Sequence, residues 1–456
     1  MANMSDAFLV AAMLLTASVV FVGVLRHVSF GLVALLLSIP MQAELAVQVG
    51  GVELTWTKVA LGSAVAAWII RLLLGASRAS IDAISLTLGS FVLALALSIV
   101  QAQDLSAWAG ETYRWVVVLI VYVIAVDAFR SAQSPTSILI GVALSVTAAA
   151  ANATWQVVTG TGPATFSVDG VTRAYATFGE PNPFAGYLEM SVLLLIAVMI
   201  GWTGHGHLRF RSISLSHRTI LALVIAAFAG SAALVSTQSR GGYIGFLAGL
   251  GVIVLLSGRR IRWIATIGGG VCLVLVLLSP IGARVIDRFR VDSLSTGPAQ
   301  VTTSNWAAQE RAGHWRAAVA MAKTSPITGI GAGNYNRRYR EMTAVWRFRI
   351  PRGHAHNAYL QAFAQAGLIG GLTYLAVCGA VLREIVRALK HQHDQVNRTI
   401  VIGVAAVSTA VAIHNLVEYL HVLSLGIQLA IVWALLTAWA KPTQERDQSG
   451  TQVVLA

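Results

Sequence analysis

Two histidines and a crowd of arginines are the residues of this chain best suited to chemistry. His354 and His356 stand in the string His354-Ala355-His356-Asn357, directly before the apolar run that starts at Ala358. A histidine at a helix start lies near the positive end of the helix dipole, which favours its neutral form. A neutral imidazole can take a proton, as a general base must. Two histidines at i, i+2 do not share a helix face, so one of them is expected to point into a site. The plainer alternative is that both merely cap and anchor the helix, with Asn357 beside them. A metal would need further ligands, and the preceding stretch offers only His314 and a few carboxylates, so no metal is expected. That stretch, 282–355, is polar and dense in arginine, from Arg284 and Arg311 to Arg352, with only Asp287, Asp292, Glu310 and Glu341 against them. Such a stretch is built to meet something anionic.

Three more patches carry groups of the same kind. The first runs from Arg173 through Thr177-Phe178-Gly179-Glu180-Pro181-Asn182, where glycine and proline punctuate a turn and start a helix. The second is Ser239-Arg240-Gly241-Gly242, squeezed between two apolar runs. An arginine there needs a partner, because charge at membrane level is costly. Snorkelling to the interface is the plainer reading. The third runs from Glu310-Arg311 through His314-Trp315 to Gly329-Ile330-Gly331-Ala332-Gly333-Asn334-Tyr335. Arg311 and Trp315 fall on one helix face, and the glycine run could offer backbone N–H groups to an anion. It has neither the strand nor the spacing of a nucleotide fingerprint. Trp315, Tyr335 and Tyr339 could stack on sugar rings, although a small core for the polar stretch is the simpler use of most aromatics there. His414 and Glu418, four apart, could pair on one helix face and support the site, with His421 close by. Glu189, inside an apolar run, has no explanation in the sequence.

The elements that must position these groups are membrane helices. Hydrophobic residues make up 56% of the chain and charged ones 11%, against about 25% charged in a soluble domain. Apolar runs of about 20 residues, enough to span hydrocarbon, recur near 7–25, 28–44, 57–75, 82–101, 112–129, 135–158, 182–201, 218–236, 241–257, 263–281, 356–382, 399–419 and 422–440. The expected fold is an all-α polytopic membrane protein with about 12–13 transmembrane helices and one large, partly helical loop. Its parts are spans and short loops over 1–281, the loop over 282–355, further spans over 356–440 and a flexible cytoplasmic tail over 441–456. The two cysteines lie in apolar runs and suggest no disulfide framework. Met1 to Phe8 lacks the basic start of a cleaved signal peptide, so the first helix is expected to be retained. The net charge of +13 comes partly from short basic loops at 207–218, 258–262 and 383–398, which the positive-inside rule places in the cytoplasm. The segment 159–181, the Ser239-Arg240 turn and the long loop then share the opposite face. No basic stretch accompanies a nucleic-acid-binding fold, so no nucleic-acid partner is expected.

The order of these motifs resembles the O-antigen ligase and O-antigen polymerase superfamily of bacterial membrane glycosyltransferases. Arginine stands before Thr-Phe-Gly-x-Pro-Asn. Then come Ser-Arg-Gly, Arg-x-x-x-Trp, Gly-x-Gly-x-Gly-x-Tyr, and His-Asn-x-Tyr-Leu-Gln followed by Gly367-Leu368-Ile369-Gly370. The resemblance covers about residues 165–375, and Glu180 departs from the Asn expected there in many relatives. It implies transfer of a glycan from undecaprenyl pyrophosphate to an acceptor hydroxyl, such as one on lipid A-core. The transfer would occur on the periplasmic side of the inner membrane, with no cofactor, no metal and no nucleotide sugar. It implies His356 as the base and Arg240 and Arg311 on the pyrophosphate. Arg173 reads as a further donor-binding residue, and His354, Asn357, Ser239, Trp315 and Tyr335 as supporting or alternative ones. A polymerase joining two lipid-linked repeat units fits the same motifs. A transporter would place its ionisable groups near the midplane of repeated halves; here they gather at one face, with no visible repeat.

Overall fold

The computed structural model describes residues 4–41, 46–49, 52–131, 136–168, 170–205, 209–210, 213–214, 216–259, 262–263, 305–342, 348, 350–391 and 395–439. The expected span at 263–281, the arginines Arg284, Arg288, Arg290, Arg347 and Arg349, and the tail from Lys441 lie outside them. Helices account for most of the described chain. They are α1 (Met4–Arg26), α2 (Val28–Ser38), α3 (Trp56–Leu73), α4 (Ala83–Leu97), α5 (Leu105–Arg130), α6 (Thr136–Thr159), α7 (Pro181–His205), α8 (His217–Thr237), α9 (Arg240–Leu256), α10 (Trp306–Thr324), α11 (Tyr335–Met342), α12 (Ala358–His391), α13 (Gln395–His414) and α14 (Leu425–Trp439). Sheet is confined to three two-stranded hairpins in the connections. Among the described residues eight helices are long and apolar enough to cross a membrane, and four shorter apolar helices accompany them. The chain is a polytopic helical membrane protein.

Side-chain caps set many of the helix starts. Thr55, Asp104, Ser216 and Ser239 each accept the backbone N–H three residues on, and Asp82 forms a capping box with Ser85. The Asp104 cap starts α5 at Leu105, seven residues before the expected span. This carries Glu111 into helix that hydropathy alone leaves out. Pro181 opens α7, where its missing N–H costs nothing.

Packing brings the motif-bearing helices together. Helix α13 lies against both α7 and α9, α14 lies along α5, and α12 lies along α4. The approach of α9 to α13 depends on small residues, as helix pairs in membranes commonly do. A Cβ at Gly245 would stand 2.8 Å from the Ala410 carbonyl oxygen, and one at Gly249 2.8 Å from that of Ala406. This contact also accounts for Glu189. It is fully buried on α7, and its Oε1 lies 3.1 Å from Nδ1 of His414.

Two expectations for the last helices are corrected. Helix α13 stops at His414 instead of running to 419, because the following backbone is committed elsewhere. Asn415 accepts the Ala358 N–H on its carbonyl and the Leu420 N–H on its side chain, both at 2.9 Å. Glu418 therefore sits in a turn, and the expected His414–Glu418 helical pair does not form. Helix α12 is longer than expected and kinks at Ala366–Gly367. The segment after Pro326 fills the break: Leu368 N–H donates to the Pro326 carbonyl at 2.7 Å, and Ile330 N–H donates to that of Ala364 at 2.9 Å. A broken helix is tolerated at membrane level when protein backbone takes up the freed groups.

Gly367 has φ +62° and ψ −154°, a region open to glycine alone, and a Cβ there would collide with the Ile327 carbonyl. Gly367→Ala is expected to cost about 1–3 kcal/mol or more, read as a lower melting temperature in detergent. Gly379→Ala, on the same helix with open space around it, is expected to leave the melting temperature unchanged or raise it.

Candidate active site

The turn between α13 and α14 holds a buried carboxylate on which the predicted site residues converge. Glu418 is 3% exposed. Its Oε1 lies 2.8 Å from Nδ1 of His356 and 3.7 Å from Nε2 of His354. Its Oε2 accepts from Asn182 Nδ2 at 2.7 Å and lies 3.9 Å from the Arg311 guanidinium. The Tyr419 N–H donates to Oε1 at 3.1 Å. Burial alone would push this carboxyl up. The charge and hydrogen bond of His356, with His354 and Arg311, outweigh burial and hold it well below the usual carboxylate range.

The two histidines are not equivalent. His354 Nδ1 accepts the backbone N–H of His356 at 3.2 Å, so its neutral form must carry the proton on Nε2, the nitrogen facing Glu418. Only Nδ1 is hydrogen-bonded, since 3.7 Å to Glu418 is too long for a bond from Nε2, and burial lowers the pKa of this ring to about 4. His356 gives Nδ1 to Glu418, and its Nε2 is the nitrogen left for a ligand. Its backbone sits at φ +48°, uncommon for any residue but glycine and held only where the surroundings over-determine it. Trp315 is one of the holders: its indole N–H donates to the His356 carbonyl at 3.2 Å. Asn357 is a cap and a tie. Its Oδ1 accepts the Leu360 N–H and its Nδ2 donates to the Leu416 carbonyl, both at 2.9 Å.

Behind His356 lies a small aromatic core, the simpler use expected for most of these rings, with His314 added to it. His314 is fully buried and stacks on Tyr339 with ring centroids 4.3 Å apart. It meets the His356 ring edge-on at 5.2 Å. Its Nδ1 lies 3.0 Å from the Tyr335 hydroxyl. Tyr335 and Tyr339 are thus core residues and not exposed platforms for sugars. The signal for His314 was its place in Arg311-x-x-His314-Trp315, one turn from the arginine.

The arginines reach this centre by different routes. Arg311 donates from Nε to the Val417 carbonyl at 2.9 Å, which fixes the turn as well as facing Glu418. Arg173 donates to the Thr237 carbonyl at 2.9 Å and to Asn182 Oδ1 at 3.2 Å. It thereby ties the start of α7 to the end of α8. Arg240 opens α9 just beyond, behind the Ser239 cap, and its neighbour Gly241 lies against the His414 ring. Arg352 pairs with Glu310 at 3.0 Å.

The glycine run does something other than expected. Gly329, Gly331 and Gly333 all have positive φ, but the backbone N–H groups of 329–332 and 334 are taken up by protein acceptors. They are not free to cradle an anion. The run docks the loop: a Cβ at Gly331 or Gly333 would strike the backbone of Ala102 or Ala107. Asn334 Oδ1 accepts the N–H groups of Gln103 and Asp104 at 3.1 and 2.7 Å. His354, His356 and Glu418 have donor atoms within 4.8 Å of one another and could together hold a metal ion. Glu418 is the ligand that the sequence reading lacked.

His314, with its pKa lowered by burial to about 3, makes a pH prediction. A histidine buried neutral binds fewer protons folded than unfolded, so its stabilising contribution is full above pH 6.5 and falls as pH drops from 6.5 towards 3. Melting temperature is expected to fall on acidification from pH 7 to 5. The fall is expected to be shallower in His314→Asn, which cannot titrate. An equal slope in the variant would remove His314 as a source.

Residues 225–375 match the O-antigen ligase family model. The match takes in Ser239, Arg240, Arg311, Trp315, Tyr335, His354, His356 and Asn357, while Arg173, Asn182 and Glu418 fall outside it. No curated protein matches the chain. The matched region carries motifs that converge on Glu418, and over that region the chain is similar to the O-antigen ligase family.

Proposed function

We propose that this chain transfers a glycan from undecaprenyl pyrophosphate to an acceptor hydroxyl, as an O-antigen ligase with lipid A-core as acceptor, on the periplasmic face of the inner membrane. The observation that carries this reading is the 2.8 Å contact between His356 Nδ1 and the buried Glu418 carboxylate. A carboxylate on Nδ1 fixes the tautomer that leaves Nε2 unprotonated and stabilises the imidazolium that forms when Nε2 takes a proton. His356 is then the general base for the acceptor hydroxyl and Glu418 its positioning partner, while His354 keeps its Nδ1 on the His356 backbone N–H and lies 3.7 Å from the carboxylate. The leaving pyrophosphate is assigned to Arg311, Arg173 and Arg240; Arg311 lies 3.9 Å from Glu418 and Arg173 is tied to Asn182 beside it. Guanidinium groups supply there the charge stabilisation that a departing diphosphate needs, so the transfer is metal-independent. Attack by the hydroxyl forms the glycosidic bond as the anomeric carbon–oxygen bond to pyrophosphate breaks, with inversion. The proton passes to His356, and the released undecaprenyl pyrophosphate keeps the bonding pair.

The test is transfer by the purified protein from undecaprenyl pyrophosphate glycan, with EDTA present and with or without lipid A-core. A single shift of the lipid A-core band is expected. A ladder of longer lipid-linked glycans without core would make the enzyme a polymerase. Activity lost to EDTA and restored by a divalent ion would replace the arginine mechanism with a metal bound at His354, His356 and Glu418. His356→Ala is expected to lower the rate by about a hundredfold or more while donor binding survives. Arg311→Gln is expected to weaken donor binding itself, and an unchanged donor affinity would remove Arg311 from the pyrophosphate site.

A further inference from the structure

A cleft adjoins the site on the side away from Arg311 and Arg173. It holds about 630 Å³ between the start of α3, the start of α5 and the turn into α14. One short segment separates it from His356. Glu418 faces the histidines, and His421, three residues on, lines the cleft with its ring 4.6 Å from that of Trp115. Between them, the Tyr419 hydroxyl donates to Glu111 Oε1 at 2.6 Å, and the other Glu111 oxygen pairs with Arg114. The Tyr419 ring packs 5.4 Å from that of His354. Arg114 on the cleft is therefore joined to the histidine pair through two side chains.

The walls are divided. Lys58 and Arg114 stand at the rim with Glu53, and Val117, Val118 and Ile427 form an apolar side one to two turns along their helices. A rim with two cations and one carboxylate beside an apolar wall suits an amphiphile whose head carries phosphate and sugar hydroxyls. The cations take the phosphate, and the carboxylate accepts from hydroxyls. Arg311 and Asn182 reach Glu418 from the α7–α10 side, with Arg173 behind Asn182; this cleft lies on the α3–α5 side. Displacement at an anomeric carbon needs the attacking hydroxyl and the leaving group on opposite sides.

We propose that the α3–α5 cleft, with Lys58 and Arg114 at its rim, is the binding site of the acceptor, a phosphorylated glycolipid whose head lies at the rim and whose chains lie along Val117, Val118 and Ile427. The assignment rests on the transferase reading above, and its test is a binding measurement that needs no turnover. Gly110 lines the cleft with open space where a Cβ would stand, so Gly110→Trp fills it without a clash at the backbone. Lys58→Glu reverses a rim charge at the third position of α3, where a glutamate completes a capping box with Thr55. Gly379→Trp, on an exposed stretch of α12, is the control. The full chain in detergent is titrated with Kdo2-lipid A, with undecaprenyl pyrophosphate and with phosphatidylglycerol, after each variant's melting temperature is shown to match the wild type. Both cleft variants are expected to weaken Kdo2-lipid A by at least about tenfold, with undecaprenyl pyrophosphate affinity and the control unchanged. Absence of Kdo2-lipid A binding in the wild type overturns the assignment, as does affinity indifferent to both variants. Equal loss of phosphatidylglycerol also overturns it and makes the cleft a site for bulk phospholipid. A wild type that transfers glycan but shows either pattern refutes the cleft and leaves the function standing. A wild type that binds as expected but transfers nothing refutes the function.

Discussion

A buried carboxylate is the constraint around which this end of the molecule is built. Glu418 is buried in a turn between two membrane helices, and an unpaired charge there would cost several kcal/mol, on the order of 3–5 once a partner is removed. The chain meets that cost with groups from distant parts of the sequence: Asn182 from the start of α7, Arg311 from the loop, His354 and His356 from the approach to α12. Each partner satisfies the carboxylate and is oriented by it. The same contacts that keep the charge buried also hold His356 Nδ1 and leave its Nε2 turned to a ligand.

The turn that carries Glu418 is equally determined by its backbone. Its carbonyls accept from Ala358 N–H, Asn357 Nδ2 and Arg311 Nε, at residues 415, 416 and 417 in order. Two of those donors flank or belong to the His-Asn motif, and the third is the arginine of Arg-x-x-x-Trp. Motif residues with a predicted chemical role therefore also build the turn. Asn357 and Trp315 have only this second kind of role among the contacts described: one caps α12 and ties the turn, and the other holds the carbonyl of a strained His356. The glycine run extends the same arrangement outward. Its N–H groups go to the kink of α12, to Ser98 after α4 and to its own turn, while the Asn334 side chain ties it to the entry of α5.

How much of this could be read from the sequence follows from how local each signal was. The helices were legible because apolar runs of spanning length need no partner to be recognised, and His356, Arg311 and Ser239 were legible because each sits in a short contiguous motif. Glu418 was legible as a polar residue near the site, but its partner was misassigned. Apolar residues continue through Leu416 and Val417, so nothing local marks the end of α13; the end is set by Ala358, some sixty residues earlier in the chain. The true partner of His414 is Glu189, across a helix contact made possible by glycines, a relation without a sequence period. The glycine run was misread for the opposite reason. Positive φ was correctly suggested by composition, but whether the freed N–H groups face solvent or protein depends on Ala364, Gln365 and Ser98, none of them nearby in sequence.

The central claim is that Glu418 acts through His356 and not beside it. A double-mutant cycle on the transfer rate tests this most directly, with His356→Ala, Glu418→Gln and the pair compared at matched melting temperature and saturating donor. Residues that act as one unit are strongly non-additive. The account predicts that Glu418→Gln, which on its own slows transfer severely, costs almost nothing further once His356 is gone. If the two losses instead multiply in full, Glu418 contributes independently of His356, and the pair is not the catalytic unit.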